Sequence, residues 1–302
     1  MSTRRFGRLA WCGVAIGLLA WGATRAAEPP RPLRIIVIGA HPDDAEFRAG
    51  GAAIKWARQG HAVKMVSMTN GDIGHWKMAG GPLAVRRKAE CAAASKVMGT
   101  TSEVLDIHDG EFEPTLENRK KITRLIREWQ ADIVISHRPW DYHPDHRYVG
   151  MLVQDAAFMV TVPFFCPDTP ALKENPVFLF TSDNFQKPYP FQADVAIALD
   201  EVFDTKVDAV HEMASQTYEA GVAGSEARMR ELPPEADVAA RKAWLRAKWE
   251  RRQGAEADRH RAALVKWYGE DRGKAIRFAE VFEVCEYGRK PTDEDLRKLM
   301  PF

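Results

Sequence analysis

Residues 33–39 read LRIIVIG, apolar from Ile35 onward with no alternation of polar and apolar positions. Such a run fits a β-strand buried on both faces, the situation of a central strand in a parallel sheet covered by helices. The same kind of segment recurs at intervals. A helix is expected over about 44–59, ended by Gly60, and a second strand over 62–68. A helix over 84–98 ends at Gly99. A strand at 103–107, an amphipathic helix over 116–130, a strand at 132–136 (DIVIS) and a helix from about 144 to 159 follow. This βαβαβαβα order predicts an α/β fold, Rossmann-like, with a mostly parallel sheet and helices on both faces. Short strands at 177–180 and 195–199 and a helix over 201–218 extend it. Residues 279–286 (AEVFEVCE) read as a closing strand.

The chemistry collects at two strand ends. The first strand runs into Gly39-Ala40-His41-Pro42-Asp43-Asp44, and the fourth runs through His137 to Trp140, Asp141 and Tyr142 and into His143-Pro144-Asp145-His146. Proline is accepted in the first turn of a helix, so both segments read as strand-to-helix turns. In a doubly wound sheet of order 3-2-1-4-5, strands one and four are neighbours whose following loops diverge and open a crevice. Two turns about a hundred residues apart therefore face one cleft with three His and three Asp: His41, Asp43, Asp44, His143, Asp145 and His146. An all-nitrogen and oxygen set suits a catalytic zinc site with one open position, and spare carboxylate and imidazole groups suit acid–base work. A dinucleotide site is disfavoured. The first turn reads GAHPDDAEFRAGG, without GxGxxG, and sets two carboxylates where a pyrophosphate would lie.

These motifs, with Gly50-Gly51, the TNGDIG stretch 69–74, Arg87-Lys88-Ala89-Glu90, Asp109-Gly110 and DYHPDHRYVG, resemble the PIG-L/LmbE-type zinc-dependent de-N-acetylases. The resemblance covers about residues 33–220 and resumes near 279–288. It implies an LmbE-like α/β fold and a hydrolase that removes an N-acetyl group from an N-acetylglucosamine-type sugar or conjugate. It implies one Zn2+ per chain, with another divalent metal as the alternative, held by His41, Asp44 and His146. By the same resemblance Asp43 is the general base, His143 the oxyanion stabiliser or general acid, and Arg87 and Asp109 line the substrate cleft. Tyr142 and Trp140 flank the second turn and offer rings for a sugar. Lys206 and Ser215-Gln216 fit a further family stretch, but Met213 stands where many members carry His. Two other readings use the same residues: a metal-dependent esterase or other amidase, and a non-catalytic carbohydrate-binding protein.

The domain plan expected is a signal peptide at 1–26, an α/β catalytic domain at 33–220, a charged helical insertion at 222–275 and a closing strand of the core within 276–288. Residues 1–26 hold Arg4, Arg5, Arg8 and Arg25, no acid, and a thirteen-residue apolar run from Trp11 to Ala23. That run is short for a membrane span and right for a signal-peptide core. The expectation is export to the periplasm or beyond, by the Sec route before the twin-arginine route, with an uncleaved anchor as the alternative and no stable membrane span after cleavage. The whole chain has 43 basic and 42 acidic residues. Cleavage after Ala26 leaves 39 basic residues against 42 acidic ones, a net charge of about −3, which argues against a nucleic-acid partner. The partner expected is a small amino-sugar substrate. Cys91, Cys166 and Cys285 lie outside the leader, show no CxxC spacing, and leave open a Cys166–Cys285 pair.

Overall fold

A computed structural model describes residues 31–302; the leader expected at 1–26 lies outside them. The order of elements is β1 Arg34–Gly39, α1 Asp44–Arg58, β2 Ala62–Ser67, α2 Gly81–Met98, β3 Thr101–Val104, α3 Leu116–Trp129, β4 Ile133–Ser136 and α4 Pro144–Met159. Then come β5 Val177–Thr181, β6 Val195–Ala198, α5 Phe203–His211, α6 Ala214–Thr217, α7 Glu226–Arg230, α8 Val238–Arg259, α9 Arg261–Tyr268, α10 Glu270–Ala275, β7 Ala279–Gly288 and α11 Asp293–Leu299.

The strands form one sheet in the order β3-β2-β1-β4-β5-β7-β6. β3, β2, β1, β4 and β5 are mutually parallel, and β7 inserts antiparallel between β5 and β6. The apolar run of β1 serves both faces by its period of two. Ile35 and Val37 pack with Ala49, Ala53 and Trp56 of α1. Ile36 and Ile38 pack with Ile122 and Ile126 of α3 and Leu152 and Val153 of α4.

β1 and β4 are hydrogen-bonded neighbours in register Ile38↔Ser136. The chain leaves β1 toward β2 on one side and returns as β4 on the other. The carboxyl ends of β1 and β4 are therefore the switch point where a crevice opens.

Gly51 of α1 meets the closing strand directly. A Cβ there would lie 2.5 Å from Leu199 Cδ2 and 3.1 Å from Glu280 Oε1. Without one, the Glu280 carboxylate accepts the Gly51 and Ala52 N–H groups at 2.9 and 2.8 Å. The Lys206 ammonium pairs with Glu280 and donates to Phe47 O. Lys206 and Gly51 thus belong to one buried junction of α1, α5 and β7.

Three sequence expectations change. The helix expected over 201–218 is broken: α5 ends at His211, Met213 is non-helical (φ −95°, ψ 57°) and fully buried, and α6 restarts at Ala214. Ser215 is tied to α2, its N–H and hydroxyl donating to Glu90 at 3.0 and 2.6 Å. β3 covers 101–104 rather than 103–107; past it, Asn70 N–H still donates to Ile107 O at 2.8 Å. Cys166 and Cys285 are buried and free, not paired. The charged segment 222–275 is helical and does more than present charge: Leu245 and Trp249 enter the α1–α5 core, and Ala257 and Leu264 cover β6.

Candidate metal centre

α1 and α4 begin at the adjacent ends of β1 and β4, and each carries its turn's polar residues in its first turn. Asp43 takes the N-cap position of α1 but makes no capping bond, leaving its carboxylate free for the cleft. Asp44 turns back instead: its Oδ2 accepts Ala40 N–H at 3.0 Å and His41 N–H at 2.7 Å. In α4, His143 is the N-cap and its Nδ1 accepts Asp145 N–H at 3.2 Å. Gly150 lets α4 lie close to the sheet, since a Cβ there would stand 2.6 Å from His137 O.

The two turns bring three ligand-capable atoms together. His41 Nδ1 lies 3.0 Å from His146 Nε2, and Asp44 Oδ2 lies 3.4 Å from each. Ligands of a tetrahedral zinc at 2.0–2.1 Å stand about 3.3–3.4 Å apart, so this spacing accommodates such an ion. The far side of each imidazole is held. His41 Nε2 faces Asp109 Oδ1 at 3.0 Å and Asp145 Oδ2 at 3.2 Å, and His146 Nδ1 faces Asp141 Oδ1 at 3.0 Å. A proton on each far nitrogen, donated to these carboxylates, leaves the near nitrogens with lone pairs that converge beside Asp44. Carboxylate support of this kind fixes the ring and raises its basicity. His137, His143, Asp109 and Asp145 complete the groups that could hold an ion.

The electrostatics favour a cation at the convergence point. Burial opposes protonation of His41, but Asp109, Asp145 and Asp44 raise its pKa well above the usual value. Burial also opposes it at His146, and Asp44 and Asp141 lift that ring to about 9. A divalent ion competes with those protons for the same lone pairs. Burial raises the Asp43 carboxyl to about 6, with the Arg87 guanidinium, 3.5 Å away, pulling downward. Burial keeps His143 below its usual value, hence neutral. With Nδ1 accepting, the proton of His143 sits on Nε2.

Other anticipated residues fall around this centre. Arg87 is 2% exposed and is a clamp: it donates to Pro42 O and Gly71 O and stands 3.8 Å from Asp109. Asp109 is placed by Asp72, which accepts its N–H at 3.0 Å. Tyr142 is 72% exposed, its ring 5.6 Å from that of His146. His75 pairs with Glu219, and His108 pairs with Asp72. Asp141 and Asp72 were not singled out from the sequence. Both stand inside motifs that were, DYHPDH and TNGDIG, and the role of Asp145 emerges only from the packing.

A doubly wound α/β domain with a His/Asp cluster at its switch point defines a class of proteins with a metal-capable cleft. Within that class, residues 36–157 match the PIG-L family model, described as GlcNAc-PI de-N-acetylase. Over 138 residues the chain is 33% identical to the diacetylchitobiose deacetylase of Thermococcus kodakarensis, covering 44% of this chain and 52% of that protein. The chain thus spans about half the length of that relative. Over 191 residues it is 27% identical to the 4-oxalmesaconate hydratase of Pseudomonas putida, covering 61% of this chain and 74% of that one. The fold is shared with the solved 4-carboxy-2-hydroxymuconate hydratase of Pseudomonas putida, at a TM-score of 0.63, 21% identity and coverage of 86% and 99%.

Proposed function

We propose that the protein is a zinc-dependent hydrolase that removes the N-acetyl group of an N-acetylglucosamine-type sugar or conjugate. The observation that carries the reading is the convergence of His41 Nδ1, Asp44 Oδ2 and His146 Nε2, all within 3.4 Å of one another. These three residues hold the ion. A bound zinc lowers the pKa of water and polarises a carbonyl oxygen. Asp43, raised toward neutrality, takes the proton of the water that attacks the acetyl carbon. His143 Nε2–H donates a hydrogen bond to the oxygen that gathers charge, and the proton held by Asp43 passes to the departing nitrogen as the C–N bond breaks. Acetate and a free amine leave. Arg87 and Asp109 hold the wall of the cleft beside Asp43 and His41, and the exposed ring of Tyr142 receives the sugar face. The reading includes export after cleavage at Ala26, tested by sequencing the N-terminus of the protein recovered from the extracytoplasmic fraction.

The likeness to a hydratase over 74% of its length supports a second reading on the same groups. Water would add across a carbon–carbon double bond, with Asp43 taking the proton of water and passing it to carbon while His143 Nε2–H donates to the oxygen that gathers charge. Fold does not decide between the two reactions. One experiment does. Zinc-loaded protein is assayed for acetate release from N-acetyl and O-acetyl sugars, and for loss of the ultraviolet absorbance of an unsaturated dicarboxylic acid. Acetate from N-acetyl sugars is the expected result. Release from O-acetyl sugars alone would make the protein an esterase, and loss of absorbance alone a hydratase.

A further inference from the structure

The loop 137–142 walls two clefts. Asp141 and Tyr142 face the metal centre, where Asp141 holds His146 at 3.0 Å. Trp140, one residue earlier, lines a separate cavity of about 540 Å³. Tyr189, Tyr287, Glu283, Glu286 and Asp194 share that lining, and no Lys, Arg or His does. The rings of Trp140, Tyr189 and Tyr287 are all partly open to solvent.

Glu283 is the informative residue. It is 7% exposed, and Gln192 N–H meets one of its oxygens at 2.8 Å. Among the described residues its other oxygen receives no hydrogen bond, and it is left to the cavity that the residue lines. Burial raises its carboxyl above the usual range, with Asp194 and Asp183 adding to it against the pull of the Arg138 guanidinium. Asp194 is likewise half-satisfied, by Val284 N–H at 2.8 Å. Aromatic faces bind the apolar faces of sugar rings and attract ammonium groups. Carboxylates accept charge-assisted bonds from ammonium and ordinary ones from hydroxyls. A neutral acetamido sugar would use the rings but bring no positive charge to the three carboxylates, which line one cavity with Arg138 behind Glu283.

We propose that this cleft is a subsite for an unacetylated amino-sugar unit, a glucosamine-type ring with a free ammonium group. It rests on the de-N-acetylase reading, because the ring held there would be joined to the N-acetylated ring at the metal centre. Two residues of chain, at most about 7 Å, separate Trp140 from Tyr142, which is on the scale of one sugar unit. The preferred substrate is then a partly deacetylated oligosaccharide.

The test is calorimetric titration of the zinc-loaded protein with the glucosamine disaccharide, which has no acetyl group to lose, and with its fully N-acetylated counterpart. The free-amine disaccharide should bind at least tenfold more tightly. The double variant E286Q/Y287A alters two exposed positions of β7, and circular dichroism and thermal melting check its fold. It should lose that preference while releasing acetate from a monosaccharide at the wild-type rate. Equal or tighter binding of the acetylated disaccharide, or undiminished preference in the folded variant, overturns the subsite. Failure of acetate release with the binding preference intact overturns the de-N-acetylase reading and leaves the subsite standing.

Discussion

The imidazole of His137 lies parallel to that of His146, with ring centroids 4.2 Å apart and planes 5° from coplanar. Its Nε2 also stands 3.3 Å from Asp44 Oδ2 and accepts Ala40 N–H at 3.1 Å. His137 therefore touches two of the three converging residues, and burial keeps its pKa low and the ring neutral. Its part is to position them. His137→Ala should weaken zinc affinity about 10–100-fold, read by competition against a chromogenic chelator. An affinity equal to wild type would mean that His146 and Asp44 are held without it.

Asp43 and the converging residues should separate in their effects. Asp43 is not one of the three converging residues, and it sits 3.5 Å from Arg87. Asp43→Asn should keep one zinc per chain and lower kcat about 10²–10⁴-fold. His41→Ala and His146→Ala should lose the metal. Metal content by elemental analysis and acetate release on the same samples check both halves. Chelation of the wild type should also lower Tm, since an ion that binds only the folded state stabilises it.

Much of this centre was legible because it lies at element ends. Apolar runs of the β1 and β4 kind belong to central strands, and the element order makes those two strands neighbours. Two His-Pro-Asp turns at their ends then have one place to be. His137 could not be assigned in the same way, because its stack on His146 depends on how closely α4 approaches β4. The break at Met213 was hidden for a similar reason. Local sequence favours one helix there, and it is the buried Met213 side chain and the Ser215–Glu90 bonds that interrupt it. The helix α11 went unread although its Thr292–Asp295 capping box was present in the sequence.

Lys206 matches a family stretch, yet it is fully buried against Glu280, with no path to the metal centre through its own bonds. Its role is structural. Lys206→Met removes the paired cation and leaves a buried carboxylate held by the Gly51 and Ala52 amides, with Arg252 as a remaining positive charge acting on it. Breaking a buried pair this way costs about 3–5 kcal/mol, whereas replacing both partners costs far less. Denaturant unfolding of Lys206→Met and of Lys206→Met/Glu280→Gln should show most of the loss recovered in the double variant. Folded Lys206→Met at low temperature should keep wild-type KM, which a substrate-binding lysine would not.

Gly150 ties the packing of α4 to the chemistry. A Cβ at this position would stand 2.6 Å from His137 O and 2.9 Å from Arg138 O, both backbone atoms that cannot rotate away. Gly150→Ala must therefore push α4 off β4, and α4 carries His143 and His146 in its first turn. Alanine has the better helix propensity by about 1 kcal/mol, so a purely local effect would be stabilising. Overpacking against backbone costs about 1–3 kcal/mol and should win. The variant should be less stable in denaturant, and its zinc affinity should fall as His146 Nε2 moves from its 3.0 Å approach to His41 Nδ1. Unchanged stability and unchanged affinity together would show that α4 has room that the geometry denies.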